Sequence, residues 1–298
     1  MNSIAPIQKT ITQNDQTAID ALSEVCELTR AELKQCFAKG AVWLTSGKQK
    51  PMRLRRVKKT LKLNDCIQLY YNPKVLNDVP LPALLMLDKI QYSIWLKPRG
   101  MLSQGSKWGD HTALYRWVEM NYQAEHESQP RQAWLVHRLD RATAGLQLLA
   151  HTKKMAQALT KLFENRQIKK RYQAIVHGQF PQTPQTYQTD IDERSAITHV
   201  QRWQYDERLN LSLVEVEIET GRKHQIRNHL SEAGFPIVGD RLYGDEALDA
   251  GLKRPRPNLQ LTAYLLAFTC PIEQTDIKIE LNQTQLDLLE LTQSADTA

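Results

Sequence analysis

The reading of this chain turns on Trp134-Leu135-Val136-His137-Arg138-Leu139-Asp140-Arg141-Ala142-Thr143-Ala144-Gly145-Leu146. The stretch begins as an apolar strand, predicted over residues 133–139, and then presents His, Arg and Asp in close succession. In a strand, residues two apart share a face, so Arg138 and Asp140 are expected to point together. A guanidinium beside a carboxylate favours the charged form. Such an aspartate can be a nucleophile, a general base or a metal ligand. The same pair serves equally well as a structural salt bridge. Residues 146–150 read as a second buried strand.

Two further segments set reactive groups at the ends of regular elements. Gly221-Arg222-Lys223-His224-Gln225-Ile226-Arg227-Asn228-His229-Leu230 follows a strand predicted at 211–218. There Val214, Val216 and Ile218 alternate with Glu215, Glu217 and Glu219. The segment opens a helix predicted at 223–232. Helical spacing sets His224 and Arg227 on one face and Ile226 with Leu230 on the packing stripe. A glycine turn at a helix start suits an anion; a basic surface turn is the plainer reading. His224 and His229 lack the spacing of a helical zinc pair. The third segment is Lys169-Lys170-Arg171-Tyr172-Gln173-Ala174-Ile175-Val176-His177-Gly178. Its strand, predicted at 171–176, sets Tyr172 with Ala174 and Val176 on the buried face. A half-buried tyrosine usually belongs to the core. Basic residues around an aromatic also suit base stacking and phosphate contact.

Further out, residues 84–87 and 92–96 read as a hairpin and 261–268 as a strand. Residues 111–121 read as a helix, as do 153–165, an amphipathic one through Met155, Ala158, Leu159, Leu162 and Phe163. Strands outnumber helices without alternating regularly with them, which points to an α+β fold. Nearer the N-terminus, helices fit residues from Ala18 and from 30 to 39, with Thr29 as N-cap and Gly40 as stop. Short strands fit 41–45 and 66–70. The expected organisation is a loose, flexible tail (1–17), a small α/β module (18–72), a proline-bearing linker (73–83) and a large domain (84–298). Residues 271–298 carry six acids and one Lys, and their end is expected to fray.

Of 298 residues, 41% are hydrophobic and 24% charged, ordinary for a globular protein. No apolar run approaches the ~20 residues of a membrane-spanning helix, and the first residues lack a signal-peptide core. A cytoplasmic location without membrane attachment is the expectation. The net charge of +6 is unevenly spread: residues 30–74 hold twelve Lys and Arg against two acids. A basic field this local is the footprint of a polyanion partner, the plainer alternative being a solubilising surface. The four cysteines show neither a C-x-x-C pair nor a regular framework, which favours reduced, mostly buried thiols.

Taken in order, these motifs resemble the RluA-type family of RNA pseudouridine synthases. Lys97-Pro98-Arg99-Gly100 after Tyr92 matches the family's first motif. His137-Arg138-Leu139-Asp140 with Thr143 and Gly145 matches its catalytic loop, although Ala142 and Ala144 stand where many relatives have Asp and Ser. Tyr172 sits in a K-x-Y-x-A-x-V-x-G strand, and Gly221–Leu230 matches the third motif. Pro236-Ile237-Val238-Gly239-Asp240 with Leu242-Tyr243-Gly244, and residues 261–271, match the closing segments. The resemblance spans about residues 84–271. The basic module is similar to an S4-type RNA-binding domain.

The resemblance implies a mixed, mainly antiparallel sheet with flanking helices and the isomerisation of uridine to pseudouridine within RNA. It implies Asp140 as nucleophile, with Arg227 paired to it. Tyr172 would pack on the uracil and assist removal of the C5 proton. Arg138 would enter the space vacated by a flipped base. His137, Thr143, Gly145, Lys97, Arg222, His224 and Ile226 are implied around the substrate, with Leu265 helping to line the pocket. Arg30, Lys34, Lys39, Arg53, Arg55, Arg56, Lys58 and Lys59 are the RNA-binding candidates of the module. No metal or other cofactor is implied, and a monomer is expected. A large structured target, 23S ribosomal RNA, is the first expectation and transfer RNA the second. A catalytically silent RNA-binding ribosome-assembly factor and a uracil-releasing nucleosidase are the alternatives.

Overall fold

The computed structural model describes residues 5–123, 131–252, 257–286, 288–289 and 291. Contacts divide the chain into two units, Met1–Pro80 with Gln104–Pro130 and Leu81–Ser103 with Arg131–Ala298. The second unit is therefore discontinuous, where the sequence reading draws one segment from 84 to 298. The physical reason lies in Asp110, whose carboxylate pairs with Arg53 and Arg55 and so joins the first unit.

In the first unit, β1 (Ile7–Thr10), α1 (Ala18–Ser23), α2 (Arg30–Ala38), β2 (Val42–Thr45), β3 (Met52–Arg53), β4 (Cys66–Leu69) and α3 (Pro73–Leu76) succeed one another. The strands form a sheet in the order β1-β4-β2-β3. Thr29 closes a capping box with Glu32 at the start of α2, and Gly40 lies just beyond its end at φ +77°. Leu33, Cys36 and Phe37 turn inward to meet Ile19, Leu22 and Ile67 in one core. Two expectations are corrected here. Residues 7–10 are not a loose tail: they ladder onto β4, and Ile11 behind them is buried. Within 73–83, Asn72 caps a helical turn whose Leu76 is buried. Helix α4 (Leu114–Asn121) also belongs to this unit and starts three residues later than the expected 111.

The second unit carries β5 (Leu84–Asp88), β6 (Tyr92–Lys97), β7 (Trp134–Leu135), β8 (Ala144–Ala150), α5 (Lys153–Glu164), β9 (Lys169–His177), β10 (Gln185–Gln188), β11 (Ile197–Asp206), β12 (Leu211–Ile218), α6 (Gln225–Glu232), α7 (Glu246–Gly251), β13 (Leu261–Thr269) and β14 (Asp276–Glu280). Among the described residues the sheet order is β10-β11-β12-β9-β13-β8-β6-β5, with β14 on β13 and β7 on β8. Its pairings are antiparallel except β13 with β8. The fold is thus α+β with a mainly antiparallel sheet. Helix α5 buries Met155 and Leu159 against Leu146, Leu148 and Tyr264. Among the described residues no helix is long and apolar enough to cross a membrane. Within 271–298, residues 276–280 form a strand, and the expected fraying of the end falls at 292–298, outside the described residues.

The register aligns one row across five strands. Val216 faces Tyr172, Tyr172 faces Ala263, Ala263 faces Gly145 and Gly145 faces Lys97. Gly145 sits at φ +125°, where a Cβ would collide with the Ala263 backbone. Its role is to let β8 and β13 meet, which sets the start of β8 beside Tyr172.

Candidate active site

The segment before β8 is a loop, not the expected continuation of a strand. The β7–β8 ladder ends at Leu135 opposite Leu149, and residues 136–143 leave the sheet. Arg138 and Asp140 therefore do not share a strand face. Arg138 is exposed and pairs with no described carboxylate. The loop is fixed from behind. Leu139 N donates to Ser103 Oγ (2.9 Å), Ser103 Oγ donates to Gln147 Oε1 (2.9 Å), and Gly100 N donates to the Arg141 carbonyl (2.8 Å). Thr143 N closes the turn on the Asp140 carbonyl at 3.1 Å. Ser103 and Gln147 are buried, so this scaffold is shielded from water.

The Asp140 side chain keeps 20% of its accessible surface and faces one guanidinium and one imidazole. Arg227 Nη1 lies 3.6 Å from its Oδ2, and His224 Nε2 lies 3.8 Å from its Oδ1. Arg227, on the first turn of α6, is held more firmly by a second carboxylate. Its Nε and Nη2 donate to Asp240 Oδ2 and Oδ1 at 2.7 and 2.6 Å, a bidentate fork. Asp240 Oδ1 also accepts from Leu242 N (2.9 Å) and Tyr243 N (3.1 Å). Burial works against the Arg227 charge, yet Asp240 and then Asp140 hold it above the ordinary arginine range. Burial likewise opposes the Asp240 charge, and Arg227 with the two backbone donors more than offsets it.

The turn that presents Arg227 is built by Gln225. Its Oε1 accepts from Thr220 Oγ1 (2.7 Å) and Arg222 N (3.0 Å), and its Nε2 donates to the Ile197 carbonyl (2.9 Å). His224, just before the helix, adopts φ +57°, a strained region for a side-chain-bearing residue. Its Nδ1 lies 3.2 Å from the Tyr243 hydroxyl. Burial lowers the imidazole's proton affinity and Asp140 opposes that shift.

A cavity of about 240 Å³ opens at Asp140, lined also by Arg138, Thr143, Tyr172, Arg222, His224, Ile226 and Arg227. This is below the ~300–1,000 Å³ of drug-sized sites. Tyr172 is buried in its wall, and burial together with the Asp140 charge raises its phenol above the usual range. Leu261 lines the cavity in place of the expected Leu265, which is buried in the adjacent core cluster.

Three expected substrate contacts lie elsewhere, the first being Gly145, which is buried in the β8–β13 pairing. Lys97 is fully buried and donates to the Met101 carbonyl (2.9 Å) and the Pro98 carbonyl (3.2 Å). Burial pushes its ammonium down to about 7. His137 turns away from the 240 Å³ cavity. Its ring stacks on Phe163 (4.5 Å) and its Nε2 accepts from Leu148 N (2.9 Å). Burial and then Lys170 lower it to about 3, a neutral ring that fixes the loop.

In the first unit the basic residues divide into two sets. Arg53 stacks over Trp43 (4.5 Å), donates to the Gly40 carbonyl and to the Ser106 carbonyl (2.9 Å), and pairs with Asp110. Arg55 pairs with Asp110 and donates to the Ala38 carbonyl. Lys39 donates to the Leu76 carbonyl, and Arg30 pairs with Asp20 on the surface. Arg53 and Arg55, expected as RNA contacts, are thus engaged within the fold. Lys34, Arg56, Lys58 and Lys59 are exposed and bind no described carboxylate.

The family model described as RNA pseudouridylate synthase matches residues 91–232, which include Asp140, Tyr172 and Arg227. A tRNA pseudouridine synthase C from Pasteurella multocida is 30% identical over 223 residues, 65% of this chain and 90% of that one. The chain belongs to the RNA pseudouridine synthase family. As an RNA pseudouridine synthase it is an isomerase with RNA as substrate. A ribosomal large subunit pseudouridine synthase D from Neisseria meningitidis is 30% identical over 174 residues, 51% of this chain and 46% of that protein. In fold, the chain is similar to human RNA Pseudouridylate Synthase Domain Containing 1, with a TM-score of 0.56 and 20% identity, over 72% of this chain and 92% of that one.

Within that family setting, Asp240, the carboxylate that holds Arg227, is the residue of the cluster that sequence reasoning passed over. It was legible only as part of a motif. Its partner Arg227 lies thirteen positions away, and no spacing rule connects a loop aspartate to a helix arginine at that separation.

Proposed function

We propose that Asp140 is the nucleophile of uridine isomerisation. The observation that carries this reading is a partly exposed carboxylate at a small cavity, faced by Arg227 and His224 and bordered by Tyr172. The Asp140 carboxylate attacks C1′ of the target ribose and the C1′–N1 bond breaks, its electron pair leaving with uracil. The freed base turns, C5 bonds to C1′, and the Asp140 ester bond breaks as the carboxylate returns. The C5 hydrogen leaves as a proton to solvent and N1 takes one up. The logic is that of retaining glycosidases, with carbon as the second nucleophile. Tyr172 packs against the base as a neutral phenol. From that position it also assists removal of the C5 proton, which passes to solvent.

A uridine within structured RNA must leave its stack to reach such a cavity. Arg138, exposed at the rim, is suited to the vacated space. The first unit serves as an S4-like RNA-binding module, supported by its helix pair α1 and α2 beside a small sheet and by the exposed Lys34, Arg56, Lys58 and Lys59. That surface favours a large target, 23S ribosomal RNA. The transfer RNA reading is favoured by a different observation: the Pasteurella relative named for tRNA is covered over 90% of its length, the ribosomal one over 46%.

Pseudouridine mapping in both RNAs from cells lacking the protein, with and without complementation by the wild-type chain, tests these readings. One uridine of 23S RNA left unmodified and restored by complementation is the expected result. Loss confined to transfer RNA selects the second target. Unchanged maps with defective ribosome assembly would replace the enzyme reading by that of a silent assembly factor.

A further inference from the structure

Asp140 stands on a wall common to two cavities. One is the 240 Å³ cavity of Tyr172, Thr143 and Ile226. The other is about 490 Å³ and shares Asp140, His224 and Arg227 with it. Both walls are cationic, the first through Arg138, Lys170, Arg222 and Lys223 beside Arg227, and what sets the first apart is the Tyr172 ring with Ile218 and Ile226. The second cavity is lined by Arg99, Arg141 and Arg241 as well as Arg227, and among the described residues Asp140 is its only acidic lining residue. A neighbouring cavity of about 750 Å³ mixes its cations with Glu164, Glu217 and Glu219, so basic walls alone do not mark an anion site on this surface.

We infer that the 490 Å³ cavity seats the ribose-phosphate backbone at the target uridine, with Arg241 and Arg141 receiving a phosphodiester oxyanion. The inference rests on the reading of Asp140 as nucleophile. A nucleophile for C1′ must touch the carbon that joins base to sugar. A carboxylate on the wall between two cavities meets that demand when the base lies in one and the sugar in the other. The base side is walled by Tyr172, Ile226 and Leu261, suited to a flat and largely apolar ring. The sugar side is walled by guanidinium groups, suited to planar, bidentate contact with phosphate oxygens.

The arginines differ in how they are held. Arg99 donates to the Leu261 carbonyl (2.9 Å) and Thr262 Oγ1 (3.1 Å), and Arg141 Nε donates to the Gly100 carbonyl (2.9 Å). These bonds set their positions while both guanidinium groups stay in the wall. Arg241 is exposed and pairs with no described carboxylate. Its charge is therefore available to an incoming anion. It sits next to Asp240, so the backbone that anchors Arg227 also carries the phosphate ligand.

The test is a chemical double-mutant cycle on a short transcript containing the mapped uridine. Arg241→Ala is expected to lower kcat/KM about fivefold and to flatten its log–log salt dependence by about 0.7, the value of one phosphate contact on single-stranded RNA. Arg241→Lys keeps the charge and should recover part of the loss. A neutral methylphosphonate at one of the two linkages flanking the uridine should cost the wild type the same factor. In Arg241→Ala it should cost nothing further. An unchanged salt slope in Arg241→Ala would overturn the inference, as would full additivity of the two modifications. Asp140→Ala is run in parallel. Turnover by that variant removes the nucleophile reading itself, whereas a dead Asp140→Ala with an additive cycle removes only the phosphate subsite.

Discussion

Two arginine–aspartate clusters in this molecule use the same parts in opposite proportion. In the second unit one guanidinium, Arg227, serves two carboxylates, Asp240 and Asp140. In the first unit one carboxylate, Asp110, serves two guanidiniums, Arg53 and Arg55. The shared member is buried in both: the Arg227 side chain is 5% exposed and that of Asp110 1%. The surplus member faces outward, Asp140 at 20% and Arg55 at 31%. A lone buried charge is costly, and pairing removes most of that cost. A second partner of the same sign then stands close to the buried charge without being needed to neutralise it. In one cluster the surplus is a carboxylate fit for nucleophilic chemistry. In the other it is a guanidinium that adds to a basic surface.

Short of removing Asp140, the proposed nucleophile, the largest expected effect comes from breaking its cluster at the buried carboxylate. Asp240→Asn turns one acceptor of the fork into a donor and releases the Arg227 geometry. A loss of about 10² in kcat is expected, with KM for RNA little changed. In an Arg227→Lys background the same change should add almost nothing, because an ammonium cannot use the fork. Equal losses in both backgrounds would show that Asp240 acts apart from Arg227.

The next effect concerns stability in the other cluster. Asp110→Ala leaves Arg53 and Arg55 without their carboxylate, and a loss of about 3 kcal/mol is expected in urea unfolding. A loss below about 1 kcal/mol would assign the cluster the weight of a surface ion pair. Arg56, Lys58 and Lys59 supply the contrast. Changing all three to Gln should leave stability unchanged and flatten the salt dependence of RNA binding by about 2. An unaltered slope would remove these residues from the RNA surface.

The smallest effect comes from a buried ammonium. The Lys97 ammonium donates to two carbonyl groups, and burial and then Arg99 push it down to about 7 from 10.5 against the opposing pull of Asp140. Between pH 7 and 10.5 the unfolded chain holds this proton and the folded chain has lost it. Stability therefore rises with pH across that window, by up to about 1.4 kcal/mol per pH unit. Lys97→Met lacks this gain, so the stability of wild type relative to the variant should increase from pH 7.5 to 9.5. A constant difference would mean that Lys97 keeps its charge.

These clusters also mark the limit of what the sequence discloses. The elements with strong periodicity were legible: α5 through Met155 and Leu159, β12 through Val214 and Val216, and the hairpin of β5 and β6. Strand β11 was not legible, because Thr198 and Val200 are buried among His199, Gln201, Arg202 and Gln204 and the apolar alternation is broken. Strand β1 was lost for the same reason: Gln8 and Lys9 mask a ladder that only β4 reveals. In the site, Asp140, Tyr172 and Arg227 were legible from ordered motifs, and they meet around one cavity. The apparent Arg138–Asp140 pair failed because the ladder stops at Leu135. Local spacing carries no information about where a ladder ends. The engagement of Arg53 and Arg55 depends on Asp110, more than fifty residues away, so a count of basic residues could not separate them from Arg56 or Lys58.

The proposed isomerisation rests on the Asp140 carboxylate. Its most direct test is tritium release from RNA labelled at uridine C5, using 23S ribosomal RNA and transfer RNA from cells lacking the protein. Wild type and Asp140→Ala are compared at equal occupancy of RNA. Release by the wild type is expected, with no free uracil, and none by the variant despite unchanged binding. Release by Asp140→Ala at a rate near wild type would contradict that expectation.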